Sequence, residues 1–362
     1  MPVFRPDLRE IPSYTPGRPI ADVAEEYGFD PAGVVKLASN ELPFAPLEPV
    51  MEAMRKALLE IHRYPDTEAR RLRSALSDQL DVAYDEVMVG AGSSEILRVV
   101  AMAIGGPGTS AVYAWPSFVI YRLGSILAMS DRYEVPLDGA QRHDLRAMAA
   151  AITPTTRVVY ICNPNNPTGT LLSSSEVRAF VDAVPESVLV LVDEAYGEFV
   201  TEPGWESAAT LALERPNVMV TRTFSKIHGL AALRIGYAIS RADTIAELRK
   251  VQAPFSVTSV GLAAALESLR YPQAIADRVA MNAAGRDRIQ AALGELGIEF
   301  VPSHSNFICF RLGKPDVVAD AFLRHRIILR PFGEDWVRVT VGTERENGLF
   351  LTALRAVCAD RR

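Results

Sequence analysis

The sequence has few cysteines, and it lacks long apolar runs, a leader-like N-terminus and an excess of positive charge. Its three cysteines, Cys162, Cys309 and Cys358, are spaced too widely for a disulfide framework or a cysteine-based metal site, which predicts a reducing compartment and no bound metal. No uninterrupted apolar run approaches the roughly 18 residues of a membrane span. Residues 1–7 have no apolar core of the signal-peptide type. We therefore expect a cytoplasmic protein with no membrane segment.

The charge balance argues against a nucleic-acid partner. The formal net charge is −6 at pH 7, whereas a protein that binds the phosphate backbone through a general surface is usually basic. The Arg-rich stretch 70–73 is typical of a solvated helix face. With 362 residues, 49% of them hydrophobic, the chain can form about two domains at roughly 150 residues each.

The pattern along the chain predicts an α/β protein of two domains with an N-terminal arm. Residues 1–37 are Pro-rich and irregular, and are expected to pack with the smaller domain and a dimer partner. Residues 38–255 alternate helical patterns with apolar strands, which indicates a mostly parallel central sheet covered by helices. Residues 256–362 begin with two amphipathic helices and continue with mixed strands, which predicts a smaller α+β domain. The clearest strands are 87–89, 110–113, 157–161, 188–192 and 218–221.

Lys226 is the first candidate for chemistry. A lysine after a strand is commonly a solvated surface charge, but its amine becomes a nucleophile when desolvation or nearby positive charge lowers its pKa. Arg222 and Arg234 are close in sequence, and Thr223 and Ser225 supply hydroxyl groups. Because the planar guanidinium group suits a phosphate, we predict that Thr223, Ser225 and Arg234 bind a phosphate beside a Schiff-base lysine. Those are marks of a pyridoxal phosphate site.

Two further turns supply the other groups that this cofactor needs. Asp193 ends the most apolar strand, where it could act as a helix cap or pair with a protonated pyridine nitrogen, which would keep it ionised. Tyr196 lies three residues later and could donate to the phenolic oxygen of the cofactor. Asn166 lies in a rigid turn with two prolines and a glycine, where it is a purely structural residue or a second donor to that oxygen.

A glycine-rich stretch at residues 90–95 is an incomplete dinucleotide-binding fingerprint. Glu95 replaces its third glycine, so a nicotinamide-dependent dehydrogenase is a weak alternative. Free backbone N–H groups at a helix N-terminus nevertheless bind phosphate. We therefore assign Gly92, Ser93 and Ser94 to the cofactor phosphate.

Three residues complete the predicted site. Phe118 follows a strand and is either a core residue or a flat neighbour for the cofactor ring. Arg338 is a charged residue within an apolar strand. A bidentate hydrogen bond to a substrate carboxylate would give it a partner. Arg330 lies eight residues earlier and suggests a second anionic group on the substrate, with a structural salt bridge as the alternative.

Taken together, these segments resemble fold-type-I pyridoxal-phosphate aminotransferases, and most closely the histidinol-phosphate aminotransferase family. The resemblance extends over essentially the whole chain. Two features depart from the family pattern. Ala232 replaces a glycine. The loop 330–336 is short, and its two acids and two aromatic residues resemble those of relatives that act on aromatic amino acids. The segments that carry the resemblance are 36–41, 63–66, 163–169, 192–196, 222–237 and 337–343.

The resemblance implies a role for each matching residue and a homodimer with shared active sites. Lys226 would be the catalytic proton carrier, and Tyr64 would reach the cofactor phosphate of the neighbouring subunit. Asn40 and Arg338 would bind a substrate carboxylate, whereas Tyr14 and Arg330 would meet the distal group of the amino substrate. The implied cofactor ligands are Ser93, Ser94, Phe118, Asn166, Asp193, Tyr196, Thr223, Ser225 and Arg234.

The implied reaction is a ping-pong transamination between a small-molecule amino donor and a keto acid. The expected substrates are histidinol phosphate and 2-oxoglutarate, which give imidazole-acetol phosphate and glutamate in histidine biosynthesis. Phenylalanine or tyrosine transamination is the alternative, and a phosphothreonine decarboxylase-like enzyme is a more remote one. A non-enzymatic regulator with this fold would need a DNA-binding extension, and the sequence contains none.

Overall fold

A seven-stranded sheet is the largest element of the fold. The computed structural model describes residues 3–6, 8, 11 and 17–360, so the predicted substrate residue Tyr14 lies outside the described residues. The five strands predicted above are confirmed, with ends that differ by at most two residues. The strands are β1 (Val35–Lys36), β2 (Val87–Gly90), β3 (Ser110–Trp115), β4 (Asp131–Pro136), β5 (Thr156–Cys162), β6 (Leu189–Asp193), β7 (Val218–Thr223), β8 (Gly236–Ser240), β9 (Phe300–Val301), β10 (Phe307–Phe310), β11 (Ile327–Ile328), β12 (Arg330–Phe332) and β13 (Trp336–Thr340).

Helices alternate with the strands of this sheet and continue into the C-terminal part. Some begin at a capping residue: the helix that follows Ser173, for example, has a capping box formed by Ser173 and Glu176. The helices are α1 (Ile20–Tyr27), α2 (Glu48–Leu58), α3 (Arg70–Leu80), α4 (Ser93–Ile104), α5 (Val119–Leu127), α6 (Leu145–Ala150), α7 (Ser174–Ala183), α8 (Ala209–Glu214), α9 (Ala242–Arg249), α10 (Ser259–Ser268), α11 (Pro272–Glu295), α12 (Pro315–Arg324) and α13 (Glu344–Ala359).

The large sheet has the strand order β2-β8-β7-β6-β5-β3-β4. Only β8 runs antiparallel to its neighbours, so the sheet is mostly parallel as predicted. Successive side chains of a strand point to opposite faces, and in β6 Val190 and Val192 join the core on one face while Leu191 joins the core on the other. This two-sided burial explains why the strand is apolar throughout.

A smaller antiparallel sheet, in the order β12-β13-β10-β9, lies in the C-terminal part and has its own apolar core. The short strand β1 pairs in parallel with β11, which ties residues 35–36 to this part of the chain. Helix α10 instead packs with the core of the large sheet, where Ala264 and Ala265 are fully buried. The predicted boundary at residues 255/256 remains a prediction, and the packing of α10 favours a boundary after that helix.

Gly236 marks a close approach between β8 and the first turn of α4. A Cβ atom at this position would lie 2.3 Å from the backbone nitrogen of Ser93 and 2.7 Å from the carbonyl carbon of Gly92. Both neighbours are backbone atoms, which cannot move aside without shifting α4. The absence of a side chain at Gly236 therefore sets the position of the α4 N-terminus.

We expect Gly236→Ala to lower the free energy of unfolding of the cofactor-free protein by about 2 kcal/mol, because overpacking against rigid backbone forces α4 to shift. The comparison is urea unfolding followed by circular dichroism. Gly139→Ala is the matched control, since a Cβ atom at Gly139 meets nothing within 4 Å. Equal unfolding curves for the two variants would contradict the packing argument.

Candidate active site

The carboxyl ends of β3, β5, β6 and β7 border a cavity of about 620 Å³. Parallel sheets place their sites at this edge, and the β12–β13 hairpin forms part of the opposite wall. The cavity brings together residues that are up to 321 positions apart in the sequence, from Gly17 to Arg338. The predicted site residues that line it are Asn40, Ser93, Ser94, Phe118, Asn166, Asp193, Tyr196, Thr223, Ser225, Lys226, Arg234, Arg330 and Arg338.

Lys226 lies three residues after β7, and its amine is held by backbone oxygens. Its Nζ donates to the carbonyl oxygen of Asn40 at 3.1 Å and to that of Ser39 at 3.5 Å. Burial lowers the pKa of Lys226 to about 7, and the positive charges of Arg338 and Arg234 act in the same direction. An amine with this pKa is partly neutral near pH 7 and can act as a nucleophile or a base.

The expected influence of Arg222 on this lysine is wrong. The Arg222 guanidinium donates to Glu194 Oε2 at 2.9 Å and 3.1 Å. Its side chain points away from the cavity because successive residues of β7 face opposite sides of the sheet. Sequence proximity could not reveal this, since the partner acid comes from the neighbouring strand end.

Asp193 is the last residue of β6 and is 1% exposed. Its Oδ2 accepts a hydrogen bond from the Tyr121 hydroxyl at 2.9 Å, and its Oδ1 accepts from Thr221 Oγ1 at 3.1 Å and from the backbone N–H of Ala195 at 3.2 Å. Burial raises the pKa of Asp193 to about 6, and these donors oppose that effect. A positive charge close to Asp193 would lower its pKa again and favour the ionised carboxylate.

A cradle of hydroxyl, guanidinium and backbone N–H groups lies around the α4 N-terminus. Arg234 donates to Ser225 Oγ at 3.1 Å, and Thr223 Oγ1 accepts from the backbone N–H of Ser225 at 3.0 Å. A Cβ atom at Gly92 would lie 2.5 Å from a terminal nitrogen of Arg234, so only glycine leaves room for the guanidinium there. Helix N-termini attract anions, and with Ser93 these groups form a phosphate-binding arrangement.

Asn40, Tyr196, Asn166 and Arg338 form two hydrogen-bonded pairs that line the cavity. Asn40 Nδ2 donates to the Tyr196 hydroxyl at 2.9 Å, and Arg338 donates to Asn166 Oδ1 at 2.5 Å and to the carbonyl oxygen of Ala38 at 3.1 Å. Asn40 has a φ of 54°, in the left-handed region that asparagine tolerates better than most residues. This conformation turns the Asn40 carbonyl towards Lys226.

Arg330 and Arg338 are directly opposite each other in the β12–β13 pair. Opposed residues of an antiparallel pair point to the same face, with Cβ atoms about 5 Å apart. Both arginines line the cavity. Two like charges in this register favour an anionic ligand that both can contact.

Two predicted residues lie outside the cavity lining. Tyr64 is 82% exposed and stacks on Phe255, with ring centroids 4.6 Å apart. Gly92 does not line the cavity itself, but its lack of a side chain leaves room for the Arg234 guanidinium, which does. The predicted role of Tyr64 in a neighbouring subunit concerns a second chain and stays a prediction.

The sequence did not single out Tyr121, Thr221, Trp115 or Phe332. Tyr121 and Thr221 hold Asp193, while Trp115 and Phe332 line the cavity. Trp115 and Tyr121 flank Phe118 in one segment, and this aromatic run indicated a possible binding wall. The local sequence does not show which of the rings faces the site.

The cavity fits pyridoxal phosphate. It combines a half-buried lysine of lowered pKa, a buried acid that keeps acceptor capacity, and a cradle in which a glycine leaves space for an arginine. These groups match the aldehyde, the pyridine nitrogen and the phosphate of this cofactor. Fold and site together define a pyridoxal-phosphate-dependent enzyme of fold type I.

Comparison with known proteins identifies the family. Residues 32–354 match the family model "Aminotransferase class I and II". The chain is 40% identical over 351 residues to histidinol-phosphate aminotransferase 1 of Dechloromonas aromatica, with 96% of each chain covered. It is 42% identical over 355 residues to an aromatic amino acid aminotransferase of Thermobifida fusca, covering 98% of this chain and 97% of that protein.

A solved structure agrees with this assignment. Histidinol-phosphate aminotransferase from Sinorhizobium meliloti, in complex with pyridoxal-5′-phosphate, superimposes with a TM-score of 0.89 at 26% identity, covering 99% of this chain and 98% of that chain. The chain belongs to the aminotransferase class I and II family. It is a pyridoxal-phosphate-dependent transaminase, as the sequence predicted.

The part of the chain that the structure describes has neither a membrane-spanning helix nor a metal-binding cluster. In that part of the chain, no helix has the length and apolar character needed to cross a membrane. The same residues contain no group of three or more His, Cys, Asp or Glu side chains arranged to hold a metal ion.

We expect Lys226 of the cofactor-free protein to react with an amine-acylating reagent at a rate that rises through about pH 7. Its pKa is lowered to about 7, so the reactive neutral amine forms as the pH rises through that value. Peptide mass spectrometry after brief labelling measures the rate. Lys250, whose side chain is 65% exposed, is the solvent-exposed reference lysine. Equal pH profiles for both lysines would contradict the lowered pKa.

Proposed function

We propose that this enzyme transfers an amino group between histidinol phosphate and 2-oxoglutarate by a ping-pong mechanism, giving imidazole-acetol phosphate and glutamate. Two kinds of observation support the proposal. Relatives with the histidinol-phosphate aminotransferase name are about 40% identical over nearly the whole chain, and the cavity presents two arginines on one face. Histidine biosynthesis is the pathway in which this reaction would serve.

Lys226 carries the proton in this mechanism. When bound, pyridoxal phosphate supplies the carbonyl carbon that takes up the amino group and a ring that withdraws electrons from the substrate. The amine of Lys226 would accept the proton from the substrate carbon that bears the amino group, and as a general acid it would then donate that proton to the carbon that takes up the amino group. A pKa of about 7 suits both steps, because a general base works best when its pKa is near the working pH.

Other side chains orient the two reactants. Asp193 would pair with the ring nitrogen, and Asn166 and Tyr196 would face the phenolic oxygen. Ser93, Ser94, Thr223, Ser225 and Arg234 would hold the phosphate of the cofactor. Phe118 would cover one face of the ring. These roles place the reacting carbon near Lys226 and exclude water from it.

The opposed pair of Arg330 and Arg338 is the observation that carries the choice of substrate. Like charges directly opposite each other on a sheet repel, and an anion that contacts both guanidinium groups would offset part of that repulsion. A phosphate monoester carries close to two negative charges at neutral pH and can accept from both guanidinium groups. A carboxylate carries one negative charge and matches one arginine.

An aromatic amino acid substrate is the second candidate. It is favoured by the 42% identity to the aromatic amino acid aminotransferase of Thermobifida fusca and by the aromatic side chains of Trp115, Phe118 and Phe332 in the cavity wall. Both substrates have a ring, so these side chains alone do not separate them. Steady-state kinetics with histidinol phosphate and with phenylalanine, each with 2-oxoglutarate, would decide. A higher kcat/KM for phenylalanine would reject the first candidate.

We expect Arg330→Gln to lower kcat/KM for histidinol phosphate by about 10- to 100-fold, as loss of a hydrogen bond from a charged donor costs roughly 1.5–3 kcal/mol. The effect on phenylalanine should be several-fold smaller, because its single carboxylate can rely on Arg338. Arg178→Gln is the control, since Arg178 pairs with Glu214 on the exposed surface. Equal losses for both substrates would argue against a phosphate contact.

We also propose a homodimer in the cytoplasm. Large apolar side chains are exposed near the end of α2, including Leu59 at 80% and Ile61 at 64%. Tyr64 and Phe255 stack on each other and are also exposed, and exposed apolar side chains of this kind are typical of a surface that a second copy would cover. The proposed substrates are charged metabolites that do not cross membranes unaided, which supports a location inside the cell.

We expect Leu59→Glu to weaken the dimer by at least about tenfold, because a buried unpaired carboxylate costs several kcal/mol. Sedimentation velocity over a range of protein concentrations measures the shift towards monomer. Val317→Glu, at a position on α12 that is 56% exposed, adds the same charge far from this surface and should leave the dimer unchanged. A monomeric parent protein, or equal behaviour of both variants, would contradict the assignment of this surface.

A further inference from the structure

Tyr121 lies between two of the residues assigned to the cofactor, and no motif gave it a role. It is a residue of α5 and is 1% exposed. Its ring stacks on Tyr160, with centroids 4.7 Å apart and planes at 11°, and it meets Phe118 edge-on at 5.8 Å and 88°. Packing on these rings fixes where its hydroxyl group points. That hydroxyl donates to Asp193 Oδ2 at 2.9 Å.

The hydrogen bonds of Asp193 leave a place for one more donor. A carboxylate has about four lone-pair sites. Thr221 and the N–H of Ala195 occupy Oδ1, and Tyr121 is the donor that the described residues provide to Oδ2. The second lone pair of Oδ2 therefore suits the N–H group of a protonated pyridine ring.

We propose that Tyr121 is a positioning residue for the cofactor, which keeps Asp193 ionised and directs its Oδ2 towards the pyridine nitrogen. The proposal rests on the assignment of pyridoxal phosphate and is independent of which amino acid the enzyme uses. Tyr121 would not touch the substrate. It would act through Asp193 alone.

The surroundings of Asp193 explain why such a donor is needed. Burial raises the pKa of Asp193 to about 6, and the negative charge of Glu194 acts in the same direction. Cys162 and Tyr196 also interact with it; both are neutral acids whose pKa values are raised by burial, and neither group can carry a positive charge. Without the hydrogen bond from Tyr121, the pKa of Asp193 would move further up, and the neutral acid could not pair with a pyridinium ion.

Tyr121→Phe tests this inference, because it removes only the hydroxyl group. Cofactor-free protein is titrated with pyridoxal phosphate, and the dissociation constant is read from the absorbance change at about pH 8 and about pH 6. We expect binding about tenfold weaker than in the parent at the higher pH. The gap should widen several-fold at the lower pH, because the variant loses the ionised carboxylate at a higher pH than the parent does.

Two comparisons separate this role from a structural one. Tyr160→Phe removes a hydroxyl from the same aromatic stack but keeps the bond from Tyr121 to Asp193, so it should bind the cofactor as the parent does at both pH values. In an Asp193→Asn background, Tyr121→Phe should cause no further loss, because no carboxylate remains to be ionised. Melting temperatures of the cofactor-free variants report any general loss of packing.

Three results would overturn the proposal. The first is parent-like binding by Tyr121→Phe at both pH values. The second is a loss that is the same at both pH values and persists in the Asp193→Asn background, which would mark a packing effect. The third is an equal, pH-dependent loss in Tyr160→Phe. If the parent protein failed to bind pyridoxal phosphate at all, the cofactor assignment itself would be wrong.

Discussion

Removal of Lys226 and Asp193 from water is the constraint on which the site depends. Burial disfavours the charged form of each group, so it lowers the pKa of the amine to about 7 and raises that of the acid to about 6. Both groups are thereby brought close to neutral pH, where small changes in their surroundings decide their charge. The positive charge of Arg338 lowers the pKa of Lys226 further, and the hydrogen bonds from Tyr121 and Thr221 lower the pKa of Asp193.

The sheet architecture makes this burial possible. Parallel strands that are covered by helices on both faces have apolar interiors, and their carboxyl ends open at one edge. Asp193 is the last residue of β6, and Lys226 follows the adjacent strand β7, so both lie at that edge. The small sheet closes the cavity from the other side and contributes Arg330 and Arg338.

In the proposed function, substrate choice depends on a different part of the structure from the chemistry of amino transfer. The lysine, the acid and the proposed phosphate cradle would serve any amino acid. The β12–β13 hairpin, with two arginines in register and Phe332 at the cavity wall, is the element that would contact the variable part of the substrate. This separation explains how relatives of about 40% identity carry two different substrate names.

The sequence by itself determined the fold class, the cofactor and most of the cavity residues. It could do so because apolar strands and the turns after them are local patterns, and because pyridoxal phosphate needs a fixed set of groups at strand ends. The tertiary structure alone decided that Arg222 turns to Glu194, that Tyr121 holds Asp193, and that Arg330 opposes Arg338. Each of these depends on contact between segments distant in sequence or on strand register, and local patterns contain neither.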